Sequence, residues 1–251
     1  MLDFLTLPQR SAKPRSSGLT HVLDKSLGPR QVEDFISVAG PYVDIVKLGW
    51  GTAYVIDNLA EKVAAYRERG IAVCFGGTML EVVLRQNKLE EYIKAAHTLG
   101  IDHVEVSDGT ISMDEEDKLE LIRRLSKEFG KVLSEVGSKD ANVIIPPYRW
   151  VESIKRELDA GAWKVITEGR ESGTVGMFQS TGEVKEGLLD EIVREISIEN
   201  LLFEAPAKSQ QTWFIKKFGS NVNLGNIPPE EVISVETLRL GLRGDTLLTF
   251  H

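Results

Sequence analysis

The chain has 251 residues, 42% hydrophobic and 27% charged, which is enough apolar material for one sizeable core at a length that α/β barrels use for a single domain. A net charge of −8 argues against a nucleic-acid-binding surface, and a single cysteine, Cys74, excludes an intrachain disulfide or a Cys-rich metal centre. No stretch approaches the ~18 consecutive apolar residues that span a bilayer, and no apolar signal core leads the chain, so the expected compartment is the cytoplasm. Residues 1–17 read as a loose arm of Pro, Ser and basic residues, and residues 18–251 as one domain. Leu19–Lys25 is the first predicted strand, ending in the charged pair Asp24-Lys25, and Gly28-Pro29 turns the chain into a helix over Gln31–Ala39. Tyr42–Leu48 is the second strand, followed by a helix from about Asp57 to Arg69 with Gly70 as its left-handed cap. Ile71–Phe75 is the third, ending in Gly76-Gly77, and Met79–Leu99 has helical spacing interrupted near Asn87. Asp102–Val106 is the fourth, after which Ser112 and Glu115 form a capping box for a helix running to about Phe129. Lys131–Val136 is the fifth, with a helix predicted over Trp150–Ala160. Trp163–Thr167 is the sixth, Leu201–Glu204 the seventh and Asn221–Asn226 the eighth, with helices around Gly187–Ser197, over Lys208–Phe218, and from Pro228-Pro229 towards Leu242.

Eight strands alternating with helices are the arithmetic of a single α/β domain, a (β/α)8 TIM barrel. A doubly wound sheet is less favoured, because no GxGxxG follows the first strand and polar groups follow nearly every strand. In such a barrel the strand C-termini converge on one mouth. The residues brought there include Asp24, Lys25, Lys47, Gly76, Gly77, Glu105, Asp108, Glu135, Lys139, Glu168, Arg170, Glu204, Asn223 and Asn226. Four of them, Glu105, Glu135, Glu168 and Glu204, end strands four to seven. Four converging carboxylates repel unless a cation or basic side chains lie among them. Two arrangements stay open: a Mg²⁺ ion, which prefers oxygen ligands, or a carboxylate network balanced by Lys and Arg. Lys25, Lys47, Arg170 and Lys139 would make a cradle for a phosphorylated, carboxylated small molecule, or serve as structural ion pairs. In the sixth unit, AGAWKVITEGRESG, Arg170 offers a planar pair of donors, and glycines up to Gly173 let backbone N–H groups approach the same anion. His21, His103 and Cys74 sit among apolar neighbours and read as packed core residues; the two histidines are expected to be satisfied there. Trp50 would wall a pocket or pack under a loop, and Gln210 and Gln211 would face the mouth or solvent. No nucleophile elbow, P-loop or HExxH is present.

Eight segments together carry a resemblance that covers nearly the whole chain: VDIVKLGWGT (43–52), FGGTMLE (75–81), VEVSDGTI (104–111), LSEVGSKD (133–140), VITEGRESG (165–173), LLFEAPAKSQQ (201–211), VNLGNI (222–227) and ETLRLGLRGDT (236–246). Each is weak alone, but in this order they resemble the phosphosulfolactate synthase family. The resemblance implies a (β/α)8 barrel and a Mg²⁺-dependent addition of sulfite to C3 of phosphoenolpyruvate, with the product feeding coenzyme M in methanogens or sulfolactate in some bacteria. It places Lys139, just after the EVG of strand five, as the acid that protonates C2. Glu105, Glu135, Glu168 and Glu204 are the pool of metal ligands, and Lys47 and Arg170 lead the anion-binding residues, with Lys25, Gly173 and Asn226 behind them. A homo-oligomer is the family habit. The rival expectations are a non-catalytic barrel of the plant heat-stress-associated type and another Mg²⁺-dependent lyase or aldolase of phosphoenolpyruvate-like substrates.

Overall fold

The computed structural model describes residues 4–111, 113–140 and 143–251. Eight parallel strands form the sheet: β1 (Thr20–Asp24), β2 (Ile45–Leu48), β3 (Ala72–Phe75), β4 (His103–Val106), β5 (Lys131–Val136), β6 (Lys164–Thr167), β7 (Leu201–Glu204) and β8 (Leu224–Ile227). Their order is β3-β2-β1-β8-β7-β6-β5-β4. The two ends of that series, β3 and β4, lie side by side without a hydrogen-bonded ladder, so the barrel is closed in shape and open along one seam. The helices are α1 (Pro29–Ala39), α2 (Thr52–Val55), α3 (Leu59–Glu68), α4 (Gly77–Arg85), α5 (Leu89–Thr98), α6 (Glu115–Glu128), α7 (Pro147–Asp159), α8 (Glu186–Glu195), α9 (Lys208–Phe218), α10 (Val232–Arg239) and α11 (Leu247–Phe250). This is the predicted (β/α)8 barrel. No helix among the described residues is long and apolar enough to cross a membrane.

The strand period of two sorts each strand's side chains into two layers. Leu19, Ile45, Cys74, Leu133, Ile166 and Leu202 fill the barrel interior. The alternate positions, such as Val22, Val46, Val73, Val104, Val132 and Val165, join the larger core between sheet and helices. Local chemistry moved several boundaries. The second strand begins at Ile45, because Gly40–Tyr42 turns as a 3-10 helix and Asp44 is spent accepting from the Thr20 N–H at 2.9 Å. Asn87, at a φ of 54°, splits α4 from α5 where the interruption was expected. Pro147 opens α7 three residues earlier than predicted, since its missing N–H is no loss in a first turn. Ser112 of the expected capping box lies outside the described residues; the cap observed on α6 is Asp114, which accepts from the Glu116 N–H at 2.9 Å. The eighth strand starts after Asn223, whose Oδ1 accepts from the Leu19 N–H and whose Nδ2 donates to the Leu201 carbonyl.

The described part of the arm read as loose, residues 4–17, is fastened across the N-terminal end of the barrel. Arg10 donates to Glu236 Oε1, to the Ser220 and Gly18 carbonyls, each at 2.9 Å, and to Asn221. Arg15 pairs with Asp44 at 3.0 Å, and Lys13 reaches the Gly40 and Val43 carbonyls. Beneath them Arg239, fully buried, donates to the carbonyls of Ser220, Val222 and Leu19.

Candidate active site

At the opposite end, the strand C-termini surround a cavity of about 300 Å³. Ile45 and Lys47 share the inward face of β2, which turns Lys47 into the barrel below that cavity. Its ammonium lies 3.2 Å from Glu105 Oε2 of β4 and 3.3 Å from Glu204 Oε1 of β7. Burial works against that charge, but Glu105, Glu204 and Glu135 outweigh it and raise the Lys47 pKa above that of a free lysine. The second oxygens of the two partners are also engaged: Glu105 Oε1 accepts from the Gly77 N–H at 2.7 Å, and Glu204 Oε2 from the Gly169 N–H at 2.8 Å. Gly77 is required by proximity. A β-carbon there would overlap Ser107 Cβ and stand 3.1 Å from Glu105 Oε1.

The second cluster is built on β5. The strand ends at Val136, and the Gly137 turn, at a φ of 129°, folds Lys139 back over its own strand. Lys139 Nζ lies 2.9 Å from Glu135 Oε1, 2.8 Å from Ser107 Oγ, 3.6 Å from Glu81 Oε1 and 3.9 Å from Glu168 Oε2. Desolvation opposes the Lys139 charge, yet Glu135 and Glu168 dominate, so its pKa stands above the ordinary lysine value. Burial would raise Glu135, but Lys139 and Lys47 hold it below the usual carboxylate range. Glu168 goes the other way. Burial, then the neighbouring Glu135 and Glu204 carboxylates, push it well up, and its Oε2 is buried without a hydrogen-bond partner. Its Oε1 accepts from the Arg170 N–H at 2.7 Å.

The structure gathers Lys47, Glu105, Glu135, Lys139, Glu168, Arg170, Glu204 and Asn226 around one cavity. Arg170 stands exposed at its rim in the left-handed region, and no carboxylate among the described residues pairs with its guanidinium. Asn226, also left-handed, has a buried Oδ1 without a partner. Lys25 does not line the cavity; it stacks over Trp50, which does, with 4.9 Å from Nζ to the ring centroid. Gly173 is likewise outside the lining, and its carbonyl accepts from Gln210 at 2.8 Å. Other strand-end candidates are spent on structure. Asp24 pairs with Lys62 at 2.7 Å, Asp108 with Lys118 at 2.9 Å, and Gln211 donates to Glu231 at 2.6 Å. Asn223 lies at the N-terminal end of β8, not at the mouth. His21 is a core residue as expected, but it is not a satisfied one: neither ring nitrogen has a hydrogen-bond partner.

Sequence reasoning missed Glu81. It is 1% exposed, and it accepts from Ser107 Oγ at 2.7 Å and from the Thr110 and Ile111 N–H groups at 3.1 Å. Its signal was available. Gly77, Leu80 and Glu81 stand at i, i+3 and i+4, so the charge falls on the buried face of α4.

The sequence matches the profile of (2R)-phospho-3-sulfolactate synthase (ComA) over residues 8–245. It is 43% identical over 250 residues to the phosphosulfolactate synthase of Methanothermobacter thermautotrophicus, covering 98% of this chain and 96% of that protein. To the phosphosulfolactate synthase of Bacillus subtilis it is 44% identical over 250 residues, covering 98% and 99%. To Protein HEAT-STRESS-ASSOCIATED 32 of Arabidopsis thaliana it is 23% identical, covering 92% and 88%. Among solved structures, a 3-hexulose-6-phosphate synthase superposes with a TM-score of 0.56 at 15% identity, covering 87% and 98%, a likeness of fold.

Proposed function

Because the chain belongs to the (2R)-phospho-3-sulfolactate synthase family, we propose that its strand-end cavity adds sulfite to phosphoenolpyruvate, with Lys139 delivering the proton. The observation that carries this reading is Lys139 itself: an ammonium, held charged by Glu135 and Glu168, lining a cavity that also presents Lys47 and Arg170. In the reaction the sulfur lone pair of sulfite forms a bond to C3. The C2–C3 π electrons move to C2 and into the carboxylate, and a proton from the Lys139 ammonium is then transferred to C2; solvent restores it. Arg170, whose guanidinium has no carboxylate partner among the described residues, receives an anionic end of the substrate with its two-pronged donor set. Lys47, already shared by two glutamates, sets the positive charge below the cavity. Ser107 fixes the Lys139 amine from the other side, and Glu81 fixes Ser107.

The residues fit a divalent cation of the hard, oxygen-binding class. Glu81, Glu105, Glu135, Glu168 and Glu204 are buried around two lysines, Lys47 and Lys139, so the cluster is negative before any anionic substrate enters. The unpartnered Oε2 of Glu168 is the oxygen left over. Glu168, with Glu135 beside it, would hold Mg²⁺, an ion that takes one or two carboxylates and fills its other positions with water and substrate oxygens. When bound, the ion supplies positive charge for the substrate carboxylate, where negative charge collects in the transition state. The test is phosphoenolpyruvate consumption by purified protein, with and without sulfite and with and without Mg²⁺. Loss that needs both, with a sulfonated phosphate ester in the mass spectrum, supports the reading. Loss without sulfite, or none with folded, metal-loaded protein, refutes it.

A further inference from the structure

Below the lysine–glutamate cluster, the barrel interior holds a second group of donors with different chemistry. His21 of β1, Cys74 of β3 and Glu105 of β4 each point one donor atom inward, and these atoms lie within 4.8 Å of one another. Among the described residues this is the group of His, Cys and carboxylate side chains close enough to share an ion. All three are sealed from solvent, His21 and Cys74 at 0% exposure and Glu105 at 2%. Both ring nitrogens of His21 lack a hydrogen-bond partner, and the Oε2 of Glu105 has only its ion pair with Lys47 at 3.2 Å. Buried polar atoms are satisfied in nearly all proteins, so an imidazole with both nitrogens idle beside a thiol and a carboxylate asks for an occupant.

From this juxtaposition we propose that His21, Cys74 and Glu105 form a binding site for a thiophilic divalent ion of the zinc class, directly beneath the catalytic cavity. An imidazole, a thiolate and a carboxylate are the donor types that zinc takes, whereas a hard ion such as Mg²⁺ avoids nitrogen and sulfur. The charges balance. On binding, the Cys74 thiol loses its proton to solvent and the sulfur takes up the metal. The two positive charges of the ion then meet the thiolate and the Glu105 carboxylate, leaving Lys47 with Glu204 at 3.3 Å. Glu105 is the shared wall. Its Oε1 stays on the Gly77 N–H while its Oε2, 3.2 Å from Lys47, turns to the ion. This site shares Glu105 with the carboxylate cluster above, but the Mg²⁺ reading places its ion on Glu168 rather than on Glu105.

Chelator-treated full-length protein titrated with Co²⁺ gives the readout. A near-ultraviolet thiolate-to-Co²⁺ charge-transfer band is expected, saturating at one equivalent, bleached by Zn²⁺ and indifferent to excess Mg²⁺. Cys74→Ser should abolish the band; Cys74→Val, which suits an apolar barrel layer, gives the same reading where Ser does not fold. His21→Phe should weaken Co²⁺ binding at least tenfold while raising the melting temperature of the metal-free protein, because it removes two unsatisfied nitrogens. No band from folded wild-type protein at saturating Co²⁺, a band that survives in the Cys74 variants, or one displaced by Mg²⁺ would each overturn the proposal.

Discussion

At the scale of single residues, the cavity is governed by which carboxylates already have a cation. Lys47 occupies Glu105 and Glu204, and Lys139 sits closest to Glu135, so Glu168, with Lys139 only at 3.9 Å, is the carboxyl least compensated and the one whose pKa is pushed up. If Lys139 is the acid, Lys139→Ala should lower kcat by about 10²–10⁴-fold, the usual contribution of a positioned acid. Steady-state kinetics checks this, alongside near-ultraviolet circular dichroism to show that the fold persists. Glu81→Gln is a subtler probe. Glu81 accepts from one hydroxyl and two backbone N–H groups, and an amide presents two hydrogens to donors that need an acceptor. Leaving such a group unsatisfied costs about 1–3 kcal/mol. A share of that displaces Ser107 and so Lys139, and kcat should fall about tenfold with KM for phosphoenolpyruvate little changed. An unaltered kcat would separate Glu81 from the positioning of Lys139.

At the scale of elements, side chains on the helices lock the strands in place. Tyr66 of α3 donates to Asp24 of β1 at 2.8 Å, and Lys62, one turn earlier, pairs with the same carboxylate at 2.7 Å. Burial, then Asp24, raises the Tyr66 pKa above its ordinary value of 10.0. The folded state therefore keeps a proton that the unfolded chain gives up above about pH 10. The stability from this group is full below that pH and declines by about 1.4 kcal/mol per pH unit above it. Tyr66→Phe should cost about 1–2 kcal/mol near neutral pH and flatten the alkaline decline in a urea-unfolding series. The same scale shows what could be read in advance. The barrel was legible because apolar runs, glycine stops and strand-end polarity repeat eight times. The cavity's glutamates were legible because a charge closing an apolar strand has to be aimed somewhere. Glu81 was not, because a helical glutamate looks solvated until the face it shares with Gly77 and Leu80 is worked out. Nor could spacing show that Gly173 and Lys25 would turn to Gln210 and Trp50, since a loop's hydrogen bonds are long-range choices.

Across the whole molecule, the two ends of the barrel do separate work. The N-terminal end is closed by Arg10, Arg15 and Arg239, the mouth by the charged cavity. Arg10→Ala leaves the buried Glu236 carboxylate without its partner, a loss of about 3 kcal/mol, so the melting temperature should fall by roughly 10 °C while kcat and KM stay at wild-type values. A change in kcat would mean that the two ends are coupled. Hydrogen exchange should find the seam: amides along the facing edges of β3 and β4 exchange before those of the laddered strands. That seam has one further meaning. Where the backbone ladder is missing, the Gly77 N–H reaches across to Glu105 and substitutes for it with a side-chain stitch. Barrel tension and cavity charge then become one mechanical variable. A ligand that draws Glu105 aside slackens the hoop, and hydrostatic pressure or heat that spreads the hoop loosens the counter-charge on Lys47.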